Sequence, residues 1–483
     1  MSALTSLVLW RQRRRLERLR RRPATLQADV LRRLLARHAD TPLGRAFGLR
    51  DVRGPDDFAA RVPLRGLDEH RPHLARPLYW SLTTGTTSAQ KEVPVTRELL
   101  RANAGAVQLL LASALLEQGS LRPLLGKLLF LGACTPLRPG PDGVLRGAAT
   151  TIGLRERPRF WRRRLLPGDA LDELPTWTEK LDRLLDLARG QDVRTVIGMP
   201  PWLLSLADHA ARRLGVERLR DLWPDVGLVI TGGTFVEPYR AGLDATFGPV
   251  TSRAMYSASE GFFGIQDGPA PGYLPLSDAI YLEFVPPDEL TLPRPTRLRL
   301  DQVEVGVDYA LVLTSWAGLF AYPVGDTVRF TSVAPPRMVV TGRVHRWANV
   351  AGEKVSISQV EAAAVAAGAR LGLALGEVAL ATPPPSGGGR ARHVWLVEAA
   401  RGDEATLARA LDEALQALSP TYRTRRDGLA LEAPAVRRLA PGSFHAWLTR
   451  EGRVGAHHKV PRILDALPAD LVSITPERAL VPA

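Results

Sequence analysis

The sequence predicts an α/β protein of two domains. The N-terminal one is large, with sheets flanked by helices and a β-rich subdomain, and the C-terminal one is small and α+β. Three observations predict this. Helical patterns alternate with short apolar, β-branched runs between Leu174 and Gly233, which is how a sheet is buried between helices. Strand patterns then succeed one another from Asp278 to Phe330. After Arg343 a fresh alternation of helix and strand begins.

Near the N-terminus, TLQADVLRRLLARHAD is a helical pattern punctuated by the turn-rich RGPDDFAARVPL. Arg97 to Gln118 keeps helical apolar spacing and stops at Gly119. The helix from Leu174 to Arg189 leads into VRTVIG, and the helix WLLSLADHAARRLG leads into GLVITGG. The runs AIYLEFVP, LRLDQVEV, DYALVLTSW and FAYPVGDTVRFTS all read as strands. In the C-terminal domain VSISQVEAAAVAAG and DEATLARALDEALQALS read as helices, and VALATP and HVWLVEAA as strands. The segment PPPSGGGRAR has a linker's composition, but strands flank it closely, so it is expected to be a hairpin tip. The boundary falls near Gly342 to His345, giving domains 1–343 and 344–483.

At 483 residues the chain exceeds what one core organises. With 45% hydrophobic and 24% charged residues it reads as an ordinary soluble globular protein. The lone cysteine, Cys134, excludes an internal disulfide and fits a reducing, cytoplasmic compartment. Its run LLFLGACTPL suggests a buried thiol rather than a nucleophile. No uninterrupted apolar run reaches the roughly eighteen residues of a membrane span. Ala104 to Leu116, interrupted by Gln108, reads as a buried helix. The start, MSALTSLVLW before RQRRRLERLRRR, places apolar ahead of basic, the reverse of a secretory signal.

A net charge of +14 invites a nucleic-acid or anionic-membrane reading. Only five of the 64 basic residues are lysine: Lys91, Lys127, Lys180, Lys354 and Lys459. A phosphate backbone accepts either cation, so this bias points to surface composition rather than to a nucleic-acid partner. Arg11 to Arg22 accordingly reads as one helix with a solvated face. Where lysine is scarce, the surviving ones mark places that need a compact ammonium.

Four segments can carry chemistry. In Ser81-Leu-Thr-Thr-Gly-Thr-Thr-Ser-Ala-Gln-Lys91 the hydroxyls of Thr83, Thr84, Thr86, Thr87 and Ser88 surround Gly85. Such donors suit phosphate oxygens, although this is not the Walker pattern. Val229-Ile-Thr-Gly-Gly233 ends an apolar strand with two bare glycines, Gly232 and Gly233, where a flat ring can approach the backbone. Tyr256-Ser-Ala-Ser-Glu-Gly261 offers an aromatic ring, the Ser259 hydroxyl and the Glu260 carboxylate, the last a donor suited to Mg²⁺. Ala321-Tyr-Pro-Val-Gly-Asp326 ends on a carboxylate able to accept from ribose hydroxyls. Taken singly, each is also what an ordinary turn looks like.

Together and in this order, the motifs resemble those of adenylate-forming enzymes. More closely, the chain is similar to the auxin-responsive Gretchen Hagen family of acyl-acid amido synthetases and its bacterial relatives. The phrases that carry the resemblance are SLTTGTTSAQKEVPVT, VIGMPPWLLSL, LWPDVGLVITGGTFVEPYR, YSASEGFFGIQD, GLFAYPVGDTVRF, TGRVHRWANVAGEKVSISQVE and GAHHKVPRIL, spread from about Leu78 to Ile463.

The resemblance implies ATP-dependent adenylation of a carboxylic acid and transfer of the acyl group to an amine or amino acid. It implies a monomer whose mobile C-terminal domain swings over the site. Thr83 to Ser88 and Lys91 would hold the β- and γ-phosphates. Gly232, Gly233 and Tyr256 would hold the adenine, with Asp326 and Arg343 holding the rest of the nucleotide. Ser259 would face the α-phosphate or acyl carboxylate, and Glu260 the Mg²⁺. Met199, Pro200, Trp202 and Leu203 match the helix that lines the acyl pocket. Lys354 and Lys459 match the two C-terminal lysine positions, Lys354 being the first choice for adenylation. Two departures stand out. Ala321 replaces the usual arginine before the tyrosine, and Ala89 replaces a common glycine. An acyl-CoA ligase sharing the adenylation step, and a non-catalytic basic binding protein, are the alternatives.

Overall fold

A computed structural model describes residues 3–83, 91–132, 136–168, 170–174, 176–233, 236, 239–344, 347–348, 350–351, 353, 355–383, 391–427, 431–451 and 460–472, the side chains of 3, 4, 83, 160 and 347 aside. The chain divides into two compact units, Met1–Val324 with Val328–Val339, and Gly325–Thr327 with Val340–Ala483.

In the first unit a seven-stranded sheet carries the architecture. Its order is Leu274–Pro275, Gly261–Ile265, Thr251–Ala258, Leu228–Gly232, Val193–Gly198, Lys127–Leu131 and Leu165–Leu166. The five strands from Thr251–Ala258 to Leu165–Leu166 are parallel, and the other two pair antiparallel. Period-two alternation sends their side chains to two cores. Leu129, Val196 and Val229 join one with the helices Trp177–Ala188 and Pro200–Leu214, while Leu128, Ile197 and Ile230 join the other with the helix Arg97–Gln118. Both faces are thus covered, as buried parallel strands require.

The Arg97–Gln118 helix has the bounds its sequence predicts. Thr96 Oγ1 accepts from Leu99 N at 3.1 Å, and Gly119 closes the helix in the left-handed conformation. By length and composition it is long and apolar enough to cross a membrane, yet its apolar window lies mostly inside the core. The basic segment forms the helix Ala3–Arg21, and its charge is only partly a solvated face. Leu16 and Leu19 are buried, Arg15 forks onto Asp278 at 2.7 and 2.9 Å, and Arg20 reaches buried Asp267 at 2.7 Å.

A second sheet pairs Tyr79–Thr83 with Lys91–Val95 and Leu145–Gly147, and a third runs Tyr281–Val285, Asp308–Ser315, Leu319–Val333, Pro336–Arg343. The expected strand LRLDQVEV is absent. Leu298 and Val305 make only single bridges, to Phe284 and Phe330. Between them Gln302 Oε1 accepts from Arg299 N, and Gln302 N donates back to Arg299 O. This local closure competes with ladder formation despite the alternating pattern.

The second unit is built on a four-stranded sheet, in the order Leu431–Leu439, Ala391–Ala399, Leu375–Ala381, Ile463–Leu464. Leu375–Ala381 and Ala391–Ala399 pair antiparallel. The helices Ile357–Leu371 and Glu404–Leu418 start on caps from Ser356 and Asp403 and bury Val360, Leu407 and Leu411 against Trp395 and Val397.

Candidate active site

In a parallel sheet the carboxyl ends of the strands form the natural crevice. Here those ends are Leu131, Gly198 and Gly232. Gly233 comes next with φ of 78°, and a Cβ there would stand 3.4 Å from Met199 Cγ. One of the two bare glycines thus abuts Met199, which precedes the Pro200–Leu214 helix. On that helix Trp202 packs at 5.4 Å on Trp177, with both rings partly exposed. Pro200 and Leu203 are buried, and Leu203 lies under Gly198, where a Cβ would come within 2.9 Å of Leu203 Cδ2.

The adjacent strands Thr251–Ala258 and Gly261–Ile265 form a hairpin whose two turn residues are Ser259 and Glu260. Gly261 holds φ of 150°, which the tight turn needs. Each turn side chain is met by a hydroxyl from another part of the unit. Ser81 Oγ, fully buried, donates to Ser259 Oγ at 3.0 Å. Tyr322 Oη donates to Oε1 of Glu260 at 3.3 Å, and both residues are buried. Tyr256 is buried on the same hairpin, its ring edge-on to Phe263 at 4.9 Å.

Ser81 belongs to the strand Tyr79–Thr83, which pairs Thr83 with Lys91 across the hairpin carrying the hydroxyl-rich segment. Lys91 is exposed. Thr84, Gly85, Thr86, Thr87, Ser88, Lys354, Lys459 and Cys134 lie outside the described residues, as does the Thr83 side chain.

In the second unit Asp326, largely buried, takes Nε of half-exposed Arg343 at 3.0 Å. The pair is fixed by the hairpin that carries both. Thr341 Oγ1 donates to Thr327 Oγ1 at 3.0 Å, and Val344 N donates to Gly325 O at 2.9 Å.

Among the described residues no three His, Cys, Asp or Glu side chains cluster to hold a metal. The single buried carboxylate of Glu260 fits Mg²⁺, which typically takes one or two protein carboxylates and completes its shell with waters and substrate phosphates. It would not fit zinc, which demands three or four protein ligands. Neither Ser81 nor Tyr322 stands out in the sequence as a partner, because their contacts span 178 and 62 residues.

Comparison with known proteins supplies the lineage. The GH3 family N-terminal, central and C-terminal domains match residues 12–167, 273–343 and 358–467, together more than half of the chain. Indole-3-acetic acid-amido synthetase GH3.3 of Arabidopsis thaliana is 23% identical over 450 residues, covering 74% of this chain and 73% of the relative. A probable indole-3-acetic acid-amido synthetase GH3.9 of Oryza sativa subsp. japonica is 28% identical over 282 residues, 50% of this chain and 60% of the relative. Among solved structures, AtGH3.15 acyl acid amido synthetase in complex with 2,4-DB shares the fold with a TM-score of 0.76 at 17% identity, covering 95% of this chain and 94% of that one. A 2-hydroxyisobutyryl-CoA ligase in the postadenylation state shares it at 0.63 and 17%, covering 93% and 91%. The chain belongs to the GH3 family.

Proposed function

We propose that the chain is an acyl-acid amido synthetase whose adenylating residues cluster on the Ser259–Glu260 turn and the Gly232–Gly233 strand end. It adenylates a carboxylic acid with ATP and passes the acyl group to an amine or amino acid. The observation that carries the reading is the convergence, in a GH3 chain, of a serine and a carboxylate at one turn, each met by a buried hydroxyl.

The reaction balances in two steps. A carboxylate oxygen of the acid attacks the α-phosphorus of ATP in line, the bond to the bridging oxygen breaks, and pyrophosphate leaves. The amine nitrogen then attacks the acyl carbon, AMP departs with the bonding pair, and the nitrogen loses a proton to solvent or base. The chain's part is positioning and charge neutralisation. Ser259 donates toward the α-phosphate or acyl carboxylate. Gly232 and Gly233 give the adenine a flat backbone to lie on, beside Tyr256. Asp326, oriented by Arg343, accepts from ribose hydroxyls. The hydroxyls of Thr83 to Ser88 and Lys91 take the β- and γ-phosphates, and Lys354 and Lys459 supply mobile charge for the α-phosphate. Met199 and Trp202 border the acid. Glu260 would hold Mg²⁺, which neutralises the departing pyrophosphate. We place the enzyme in the cytoplasm as a monomer.

The test is acid-dependent ATP–pyrophosphate exchange over aryl, indole and fatty acids, with product analysis in the presence of amino acids or CoA as acceptor. Exchange is expected with at least one acid, and Glu260→Ala and Lys354→Ala are expected to abolish most of it. Exchange unaffected by both substitutions would overturn the site assignment, and a thioester as sole product would overturn the acceptor.

A further inference from the structure

The backbone at Ala321 is the one non-glycine position with positive φ among the described residues, at 48°. L-residues rarely adopt this conformation, and it persists only where surrounding structure fixes it. Here three hydrogen bonds do so. Ala321 N donates to Thr314 Oγ1 at 2.9 Å, Ala321 O accepts from Arg65 N at 3.1 Å, and Phe320 N donates to Nε2 of His70 at 2.9 Å. His70 is itself oriented, because its Nδ1 lies 2.7 Å from Gly66 O, which can only accept. Its Nε2 lies 3.0 Å from Phe320 O as well, so both ring nitrogens are engaged.

In a regular strand, successive side chains point to opposite faces. A left-handed residue breaks that alternation and re-aims the next side chain, as a bulge does. Phe320, Ala321 and Tyr322 are all buried. The re-aimed residue is Tyr322, whose ring meets His70 edge-on at 6.2 Å and whose hydroxyl reaches Glu260. A tyrosine that only fills a core needs no such aiming, and a phenylalanine would fill the same space without a buried hydroxyl to satisfy.

We propose that Tyr322 is a positioning residue for Glu260, and that the left-handed backbone at Ala321 is the device that aims it. This rests on the assignment of Glu260 to Mg²⁺. Removing the outer hydrogen bond to a metal-binding carboxylate typically costs about 10–100-fold in metal affinity.

The test uses the full chain with a non-hydrolysable ATP analogue, and Mn²⁺ as the probe ion, its binding read by paramagnetic resonance. Tyr322→Phe keeps the ring and its packing, so it is expected to fold and melt close to the parent. Its Mn²⁺ affinity is expected to fall about tenfold or more, and activity is expected to recover at saturating Mg²⁺. Glu260→Gln is expected to weaken Mn²⁺ binding as well, and adding Tyr322→Phe to it is expected to change nothing further. Parent-like Mn²⁺ binding by Tyr322→Phe beside a weakened Glu260→Gln would overturn the positioning role alone, as would full additivity of the two losses. Unaltered Mn²⁺ binding by Glu260→Gln would remove the metal assignment and this inference with it.

Discussion

Nε2 of His393 lies 2.7 Å from Oε1 of Glu353, and neither side chain is exposed. The same carboxylate accepts from Val350 N at 2.8 Å and Ala351 N at 2.7 Å, while Thr421 Oγ1 donates to the Glu353 carbonyl. His393 also stacks on Tyr422 at 5.5 Å. Glu353, immediately before Lys354 in the sequence, therefore ties Val350 and Ala351 to His393. Burial pushes this carboxyl up, but hydrogen bonds from His393 and from the N–H groups of Val350, Glu353 and Ala351 outweigh it. They hold it below the usual 4.5. A depressed acid adds stability that is complete above its unfolded value and is lost as pH falls through the folded one. His393→Leu removes one of the hydrogen bonds to this buried carboxylate and leaves those from Val350 N and Ala351 N, so a loss of about 1.5–3 kcal/mol is expected. Its acid transition should begin at higher pH, read by denaturant unfolding across pH.

His38 gives a second, separable pH effect. Burial, then the charge of Arg37 against that of Glu98, lowers it from 6.5 to about 4. A histidine with a lowered folded value disfavours the proton in the native state, so its contribution is complete above pH 6.5 and declines as pH falls toward 4. At about 1.4 kcal/mol per pH unit between 6.5 and about 4, this is bounded at about 3.5 kcal/mol, less to the extent that the half-buried ring is solvated. His70, lowered chiefly by burial, adds to the same slope. His38→Gln is expected to flatten the stability profile between these pH values, and an unchanged slope would assign it elsewhere.

Asp326 and Arg343 should separate under mutation. The guanidinium is 55% exposed, so its ion pair contributes at most about 1 kcal/mol to folding. Arg343→Ala is expected to melt close to the parent. Asp326→Asn is expected to raise the KM for ATP about tenfold, the equivalent of one hydrogen bond to a charged group, with a smaller change in kcat. Equal effects of the two on KM would mean that the arginine contacts nucleotide directly.

Gly233→Ala tests the strand end. A φ of 78° suits glycine, while the new methyl would meet Met199 at ordinary van der Waals distance. A stability loss of about 1–2 kcal/mol is expected from the backbone alone. If the glycine also borders adenine, the KM for ATP should rise; thermal melting together with ATP titration distinguishes the two.

Much of the fold was legible because local signals agreed with it. The Arg97–Gln118 helix carries its own cap and stop, and the parallel strands carry short β-branched runs. LRLDQVEV misled because alternation survives in a segment whose side chains close a turn instead. The turn residues Ser259 and Glu260 were visible as a motif, since their chemistry is compressed into six residues. Their partners were not. Ser81 and Tyr322 reach them only through sheet pairing and a strained backbone, neither of which leaves a local pattern. Arg15 and Arg20 were hidden in a basic run for the same reason, because their acids lie on the far side of the chain.

The central claim is adenylation and then amide formation, and one measurement addresses both halves. The full chain is incubated with ATP, Mg²⁺, a panel of carboxylic acids and a panel of amino acids, and pyrophosphate, AMP and acylated products are quantified by mass spectrometry. The expected result is an N-acyl amino acid formed in one-to-one ratio with AMP and pyrophosphate, and lost in Glu260→Ala. Acid-dependent pyrophosphate release with only a CoA thioester as product, or amide formation accompanied by ADP, would contradict the account.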